Sequence, residues 1–166
     1  IYDGGSGTDT VNYSSHGTTG ITVTLNGSSD GSVVVAGGTG NHTVRNIEQV
    51  IGTSGSDSFT GDSGKNYFTG GDSADTFVWS AGFDEIRGDA GNDILDFTSL
   101  STAVTGDIRT IVNGFSTLNV SSDQILFQSI EVINTGSGND NIYENNSLVF
   151  MNTGDGNDTV RFNSSN

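Results

Sequence analysis

Aspartates recur in this chain at an interval that suits a cation. Asp57, Asn66, Asp75, Asp84 and Asp93 follow one another every nine residues, and Asp140 and Asp158 stand two such intervals apart. Asp9 carries the same pattern near the start of the sequence. In a coil of two short strands and two turns, nine residues make half a circuit, so Asp57, Asp75 and Asp93 stack on one edge and Asn66 and Asp84 on the other. Neighbouring strands lie about 4.8 Å apart, and two oxygen-to-calcium bonds of about 2.4 Å span the same gap. Left without an ion, carboxylates about 5 Å apart repel by roughly 3 kcal/mol per pair at an effective dielectric of about 20. The spacing reads as a comb for calcium, with ions expected mainly between Asp57 and Asp75, between Asp75 and Asp93, and between Asp140 and Asp158.

The elements that must hold these groups are nonapeptides: a glycine-rich turn, Asp at the sixth place and a large apolar residue at the eighth. They run over Gly4–Asn12, Gly52–Thr60, Gly70–Val78, Gly88–Asp96, Thr135–Tyr143 and Thr153–Arg161. The eighth-place side chains, Val11, Phe59, Phe68, Phe77, Ile86, Leu95, Ile142 and Val160, are expected to point inward and form a narrow core. Turn glycines such as Gly55, Gly71, Gly91, Gly138 and Gly156 permit left-handed backbone and expose carbonyl oxygens, the remaining hard ligands for a shell of about six to eight oxygens.

Several positions depart from the pattern. Asn66 replaces Asp beside Lys65, the one lysine, so Asp84 faces a neutral partner and offers a weaker fourth place for an ion. His42 stands where the run Gly37–Asn41 predicts Asp, and Val149 interrupts the opposite edge of the second half. His42 and His16 read as exposed turn residues. Trp79 and Tyr67 read as covers over degenerate turns rather than as platforms for sugar rings.

Composition narrows the function classes. The 166 residues carry 20 acidic against 5 basic side chains, a formal charge of −15. Such a surface repels nucleic-acid phosphates and anionic lipids and attracts cations. Cysteine is absent, which excludes disulfides and thiolate metal sites, and two histidines are a poor basis for zinc. No apolar run approaches the roughly 20 residues of a membrane helix, and the first residues lack the pattern of a signal peptide, so a soluble chain is expected. Ser, Thr, Asn and Gly make up about half of the sequence, and Ile, Val, Leu and Phe about a quarter, so the core is thin and folding is expected to need a ligand. No nucleophile elbow, no histidine placed with a nucleophile and no phosphate loop is present, and carboxylates all presented alike do not make an acid and a base. An enzyme is not expected.

A longer period overlies the short one. Ile47 to Asp57 matches Ile130 to Asp140 at an offset of 83 residues, which divides the chain into two tandem units, 1–83 and 84–166, stacked as one continuous solenoid. Irregular inserts at 13–41 and 97–124 carry alternating strand signals and Asn26-Gly27 and Asn113-Gly114 turns, so hairpins are predicted there. Helical spacing is missing throughout, and the absence of proline suits an unbroken ladder. If a second copy followed residue 166, its Asp9 would fall 17 positions after Asp158, within one residue of a full coil. End-to-end joining of copies, with calcium shared across the junction, is therefore expected.

At these residues the sequence resembles the repeats-in-toxin family, the hemolysin-type calcium-binding repeats with the consensus Gly-Gly-x-Gly-x-Asp-x-apolar-x. The segment Asn46 to Gly52 is similar to spacers of long secreted adhesins in that family. The resemblance implies a right-handed parallel β-roll with calcium in its turns, bacterial type I secretion and folding in millimolar external calcium. It points to a structural module of a secreted adhesin, surface layer or matrix fibre. A folding and export tail on a secreted enzyme, or a carbohydrate-binding module, remain the alternative readings.

Overall fold

The computed structural model describes residues 1–38, 40–144, 148 and 150–162. Short strands dominate because the sequence alternates apolar and polar residues over three to five positions and then breaks at glycine. Residues 1–46 supply β1 (Tyr2–Asp3), β2 (Thr10–Asn12), a 3-10 turn at Ser14–His16, β3 (Ile21–Thr24), β4 (Gly31–Val35) and β5 (His42–Arg45). The regular stretch follows as β6 (Gln49–Ile51), β7 (Ser58–Thr60), β8 (Tyr67–Asp72), β9 (Thr76–Val78), β10 (Phe83–Ala90) and β11 (Ile94–Asp96). A second irregular set, β12 (Val104–Asp107), β13 (Ser116–Val120) and β14 (Asp123–Gln128), leads to β15 (Val132–Asn134), β16 (Asn141–Glu144), β17 (Phe150–Asn152) and β18 (Thr159–Phe162). That 3-10 turn is the one helical element among the described residues.

The strands form two nine-stranded sheets, ordered β1-β5-β4-β3-β7-β9-β11-β15-β17 and β18-β16-β12-β13-β14-β10-β8-β6-β2. From β6 to β11 the chain crosses from one sheet to the other at every strand, so each strand pairs in parallel with the second one after it: Ser58 with Thr76, Thr76 with Ile94, Gln49 with Tyr67, Tyr67 with Glu85. The nine-residue beat of the sequence is thereby an eighteen-residue beat within each sheet.

Register stacks the apolar residues into two columns. Val23, Phe59, Phe77, Leu95, Ile133 and Met151 line one sheet, and Val11, Val50, Phe68, Ile86 and Phe127 the other. The rings of Phe59 and Phe77 lie parallel with centroids 5.0 Å apart, and Phe68 reaches Phe59 from the facing sheet at 5.2 Å. Of the eight core residues expected from the sequence, six are fully buried, while Val11 and Val160, on edge strands, are half-covered.

The inserts differ from simple hairpins. β3, β4 and β5 form an antiparallel meander built into the first sheet, and β12, β13 and β14 do the same in the second. Only Asn113-Gly114 makes the tight two-residue turn: both have positive φ, 54° and 90°, and Val112 and Phe115 exchange amide bonds across it. Asn26-Gly27 lies instead within a longer loop from Leu25 to Asp30, where the Ser29 amide closes back on the Asn26 carbonyl.

Candidate metal centre

Each repeat aspartate stands at or beside the start of a strand, and the parallel register sets it against its counterpart one coil on. The Asp57 amide donates to Oδ1 of Asp75 at 2.7 Å, the Asp75 amide to Oδ1 of Asp93 at 2.8 Å, and the Asp140 amide to Oδ1 of Asp158 at 2.9 Å. On the other edge the Asn66 amide donates to Oδ1 of Asp84 at 3.0 Å. Where an insert strand comes next to the ladder, Ile21 and Val104 donate their amides to Asp57 and Asp140 at 2.7 and 2.8 Å. One oxygen of each carboxylate thus caps a neighbouring backbone amide.

The second oxygen is a different matter. Oδ2 of Asp9, Asp75, Asp93 and Asp140 is buried without a hydrogen-bond partner. Asp75 and Asp93 are wholly buried, at 0% exposure. A buried anionic oxygen without a donor is costly, and each one in a native structure calls for a compensating partner such as an ion. Burial pushes the Asp75 carboxyl up to about 7; the Asp57 amide pulls the other way, and the charges of Asp57, Asp93 and Asp89 push further up. Burial likewise raises Asp93, with Glu131 and Asp89 adding repulsion against the pull of the Asp75 amide. The three ion pairs among the described residues, Arg45 with Asp30, Arg87 with Glu85 and Arg109 with Asp107, lie at the surface and bring no cation to this ladder.

Two of the expected positions differ. Both oxygens of Asp57 are engaged, by the Ile21 amide and by the amide and hydroxyl of Thr53. Asp84 accepts the Asn66 amide and the Ser80 hydroxyl, the latter at 3.2 Å, and burial raises it to about 7, opposed by these two donors. Asp9 and Asp158 sit half-buried on the outermost coils.

The glycines serve the turns chiefly by letting backbones approach. Gly71 and Gly156 adopt the left-handed conformation expected of them, with φ of 121° and 131°. Gly55, Gly91 and Gly138 do not; a Cβ there would instead overlap the backbone of Thr18, Ser73 and Thr102 on the next turn. The position before the strand is crowded in the same way: a Cβ on Gly70 would overlap Oδ2 of Asp75 and come within 2.8 Å of the Gly88 carbonyl oxygen. Carboxylate and carbonyl oxygens of successive turns therefore crowd one small volume.

Two side chains escaped the sequence reading. Glu131 Oε2 accepts the Asp93 amide at 2.8 Å, and Glu48 Oε2 accepts the Asp9 amide at 2.9 Å. The signal was the recurrence of an Ile-Glu pair at the 83-residue offset, and each glutamate stands nine residues before a repeat aspartate, Glu48 before Asp57 and Glu131 before Asp140, on the lattice but with Glu in place of Asp. His42 is a correction: it lies half-buried in β5, its Nδ1 2.7 Å from the Tyr13 hydroxyl, with its ring stacked on Tyr13 and edge-on to Tyr2. His16 is exposed on the 3-10 turn. Tyr67 is half-covered, with the Lys65 ammonium 4.5 Å from its ring centroid, and Trp79 packs against the core. Val149 lies outside the described residues.

These donors fit a hard divalent cation. The set is all oxygen, anionic in part, and supplemented by main-chain carbonyls, which is the chemistry of calcium rather than of a soft metal. Among the described residues no three acidic or histidine side chains converge on one point, so an ion here draws on backbone oxygens as well as on stacked carboxylates. No described helix is long and apolar enough to cross a membrane.

No curated protein matches the chain. A family model does: residues 47–78, 80–99 and 128–143 match the RTX calcium-binding nonapeptide repeat, in four copies. The matched stretches contain Asp57, Asp75, Asp84, Asp93 and Asp140, and with them three of the four orphaned Oδ2 atoms, while the copies at Gly4–Asn12, which carries the fourth on Asp9, and Thr153–Arg161 lie outside them. These stretches are thus similar in sequence to RTX calcium-binding nonapeptide repeats, and in this chain their aspartates stack one coil apart.

Proposed function

We propose that the chain is a calcium-dependent structural module of a secreted bacterial protein, an adhesin, surface-layer or matrix fibre, and not a catalyst. One observation carries this reading: Asp75 and Asp93 are wholly buried, stacked at one-coil spacing, and each keeps an Oδ2 that no donor in the protein satisfies. Calcium would be held between Asp75 and Asp93 and between Asp140 and Asp158, with the Gly88 turn lending a carbonyl oxygen, whereas Asp57, both of whose oxygens are already engaged, offers no site of its own. Bound there, the ion neutralises the repulsion that opposes stacking of like charges.

In this reading the two parallel-rich sheets are the walls of a right-handed β-roll made of units 1–83 and 84–166. Millimolar external calcium, the range used by extracellular modules at about 10⁻⁴–10⁻³ M, drives folding after type I export. Association with further coils or copies is supported by the sheet edges: β1, β2, β17 and β18 each pair on one side and leave the other edge free, with Tyr2, Phe150 and Phe162 exposed on them. Circular dichroism during calcium titration, read with light scattering, tests the reading. A gain of β signal followed by calcium-dependent growth in size is expected. A full β signal after exhaustive chelation, unchanged by added calcium, overturns it.

A further inference from the structure

At two of the places where an insert interrupts it, the aspartate ladder ends on a glutamate. Ile94 faces Val132 in the β11–β15 register and Thr10 faces Gln49 in β2–β6, so Asp93 lies beside Glu131 and Asp9 beside Glu48. In both places the aspartate amide donates to the glutamate Oε2, the same bond that Asp75 makes to Asp93. The aspartate carbonyl in turn accepts amides from the glutamate and its successor: 3.2 and 2.9 Å at Glu131 and Val132, 3.3 and 3.0 Å at Glu48 and Gln49. Each glutamate therefore occupies the place of the next ladder aspartate, but 38 or 39 residues on instead of 18.

No glycine-rich turn precedes either glutamate, and its carbonyl donors are replaced by another device. Ser129 and Asn46, two residues before each glutamate, are held at positive φ, 52° and 49°. A Cβ on Gly88 would overlap both the Ser129 carbonyl oxygen and Oδ2 of Asp93, and a Cβ on Gly4 would overlap the Asn46 carbonyl oxygen and the Asp9 side chain. The wholly buried Asp93 thus directs an unpartnered Oδ2 at the volume that the Ser129 carbonyl also enters, beside the Glu131 carboxylate. Asp9 repeats the arrangement with its own buried, unpartnered Oδ2. A neutral glutamine would cap these amides as well, without setting a second negative charge against the first.

We propose that Asp93 with Glu131, and Asp9 with Glu48, form two further calcium sites that fasten the ladder where each insert rejoins it. The proposal rests on the reading of the ladder as a calcium binder. Glu131→Gln and Glu48→Gln keep an acceptor for the aspartate amide and remove the charge. By equilibrium dialysis and calorimetric titration, E131Q is expected to bind one calcium fewer per chain, or to bind it at least tenfold more weakly, and the double variant two fewer. Unchanged ion count and affinities in folded E131Q overturn the proposal and leave the ladder reading standing. An unaltered chain that takes up no calcium overturns the ladder reading, and this proposal with it. Should the variants not fold, a calcium-loaded crystal of the unaltered chain decides: anomalous density bridging Asp93 Oδ2 and Glu131 supports the site, and its absence while Asp75 carries an ion overturns it.

Discussion

The amide of Asp75 donates to Oδ1 of Asp93, 2.8 Å away and one coil further on, leaving Oδ2 of both residues buried and unpartnered. The carboxylate is thus divided between two tasks, capping a backbone amide and facing a volume that suits a cation. Without an ion the second task costs stability, and with one it supplies it.

Asp75→Asn separates the two. The amide side chain retains an Oδ1 acceptor for Asp57 and replaces the orphaned anionic oxygen with a donor near the Gly88 carbonyl. In chelator the variant should be more stable than the parent by about 1–3 kcal/mol, the size of one relieved charge repulsion or unsatisfied group. In saturating calcium the order should reverse. Thermal melts of both proteins in both conditions check this crossing, and a variant less stable than its parent in chelator would count against it.

Acid should substitute in part for calcium. Asp75 and Asp84 are held at about 7 by burial, against about 3.9 for an unfolded aspartate. Between these values the folded chain retains protons that the unfolded chain has shed, so metal-free stability falls as pH rises through the window and grows as pH drops from 7 toward 4. The same protons compete with the ion, so calcium affinity should weaken below pH 7. Urea midpoints in chelator at pH 7.5 and pH 5 provide the test; a lower midpoint at pH 5 contradicts the assignment.

Asp84 should behave unlike Asp75 although the sequence places them on the same lattice. Its two oxygens already hold the Asn66 amide and the Ser80 hydroxyl. Asp84→Asn is therefore expected to leave the number of bound calcium ions unchanged, whereas Asp75→Asn lowers it. Loss of an ion from the Asp84 variant would return that edge to the set of sites.

The contrast also marks what was legible in the sequence. Asp57, Asp75 and Asp93 could be stacked on paper because parallel pairing converts a fixed separation into contact, and Phe59, Phe77 and Leu95 followed by the same rule. Ser80 against Asp84 could not, since a hydroxyl four residues upstream is one of many Ser and Thr in this composition. Glu48 and Glu131 stand on the lattice, nine residues before Asp57 and Asp140, but carry Glu instead of Asp, and their partners Asp9 and Asp93 lie 39 and 38 residues away across the inserts; His42 was hidden by a partner, Tyr13, 29 residues away. Such pairings depend on antiparallel strands inserted into a parallel sheet, which local periodicity does not encode.

Turn glycines should divide by mechanism. At Gly91 the backbone is not left-handed, but a Cβ would overlap the Ser73 carbonyl of the stacked turn. Gly91→Ala should cost about 1–3 kcal/mol through forced separation of the turns, and should weaken calcium binding as well. At Gly38, φ is 78° and nothing lies within 4 Å of a Cβ. Gly38→Ala should cost only about 1 kcal/mol of backbone strain and leave calcium affinity alone. Equal effects of both on calcium titration would refute the stacking role.

The narrow core should transmit damage along the ladder. Phe77 is 1% exposed, stacked on Phe59, and begins two residues after Asp75, so its ring fixes the strand that carries that carboxylate. Phe77→Ala opens a cavity in a column one side chain wide and should cost about 3–5 kcal/mol. Because the columns are continuous by register from Val23 to Met151, loss of this link should also split the calcium-induced transition into steps, with the Asp140–Asp158 end still responding. The exposed Phe83, at 51%, serves as control: Phe83→Ala should shift stability by under about 0.5 kcal/mol and leave a single transition. A single, merely shifted transition in Phe77→Ala would mean that the two ends of the ladder are coupled by something other than this column.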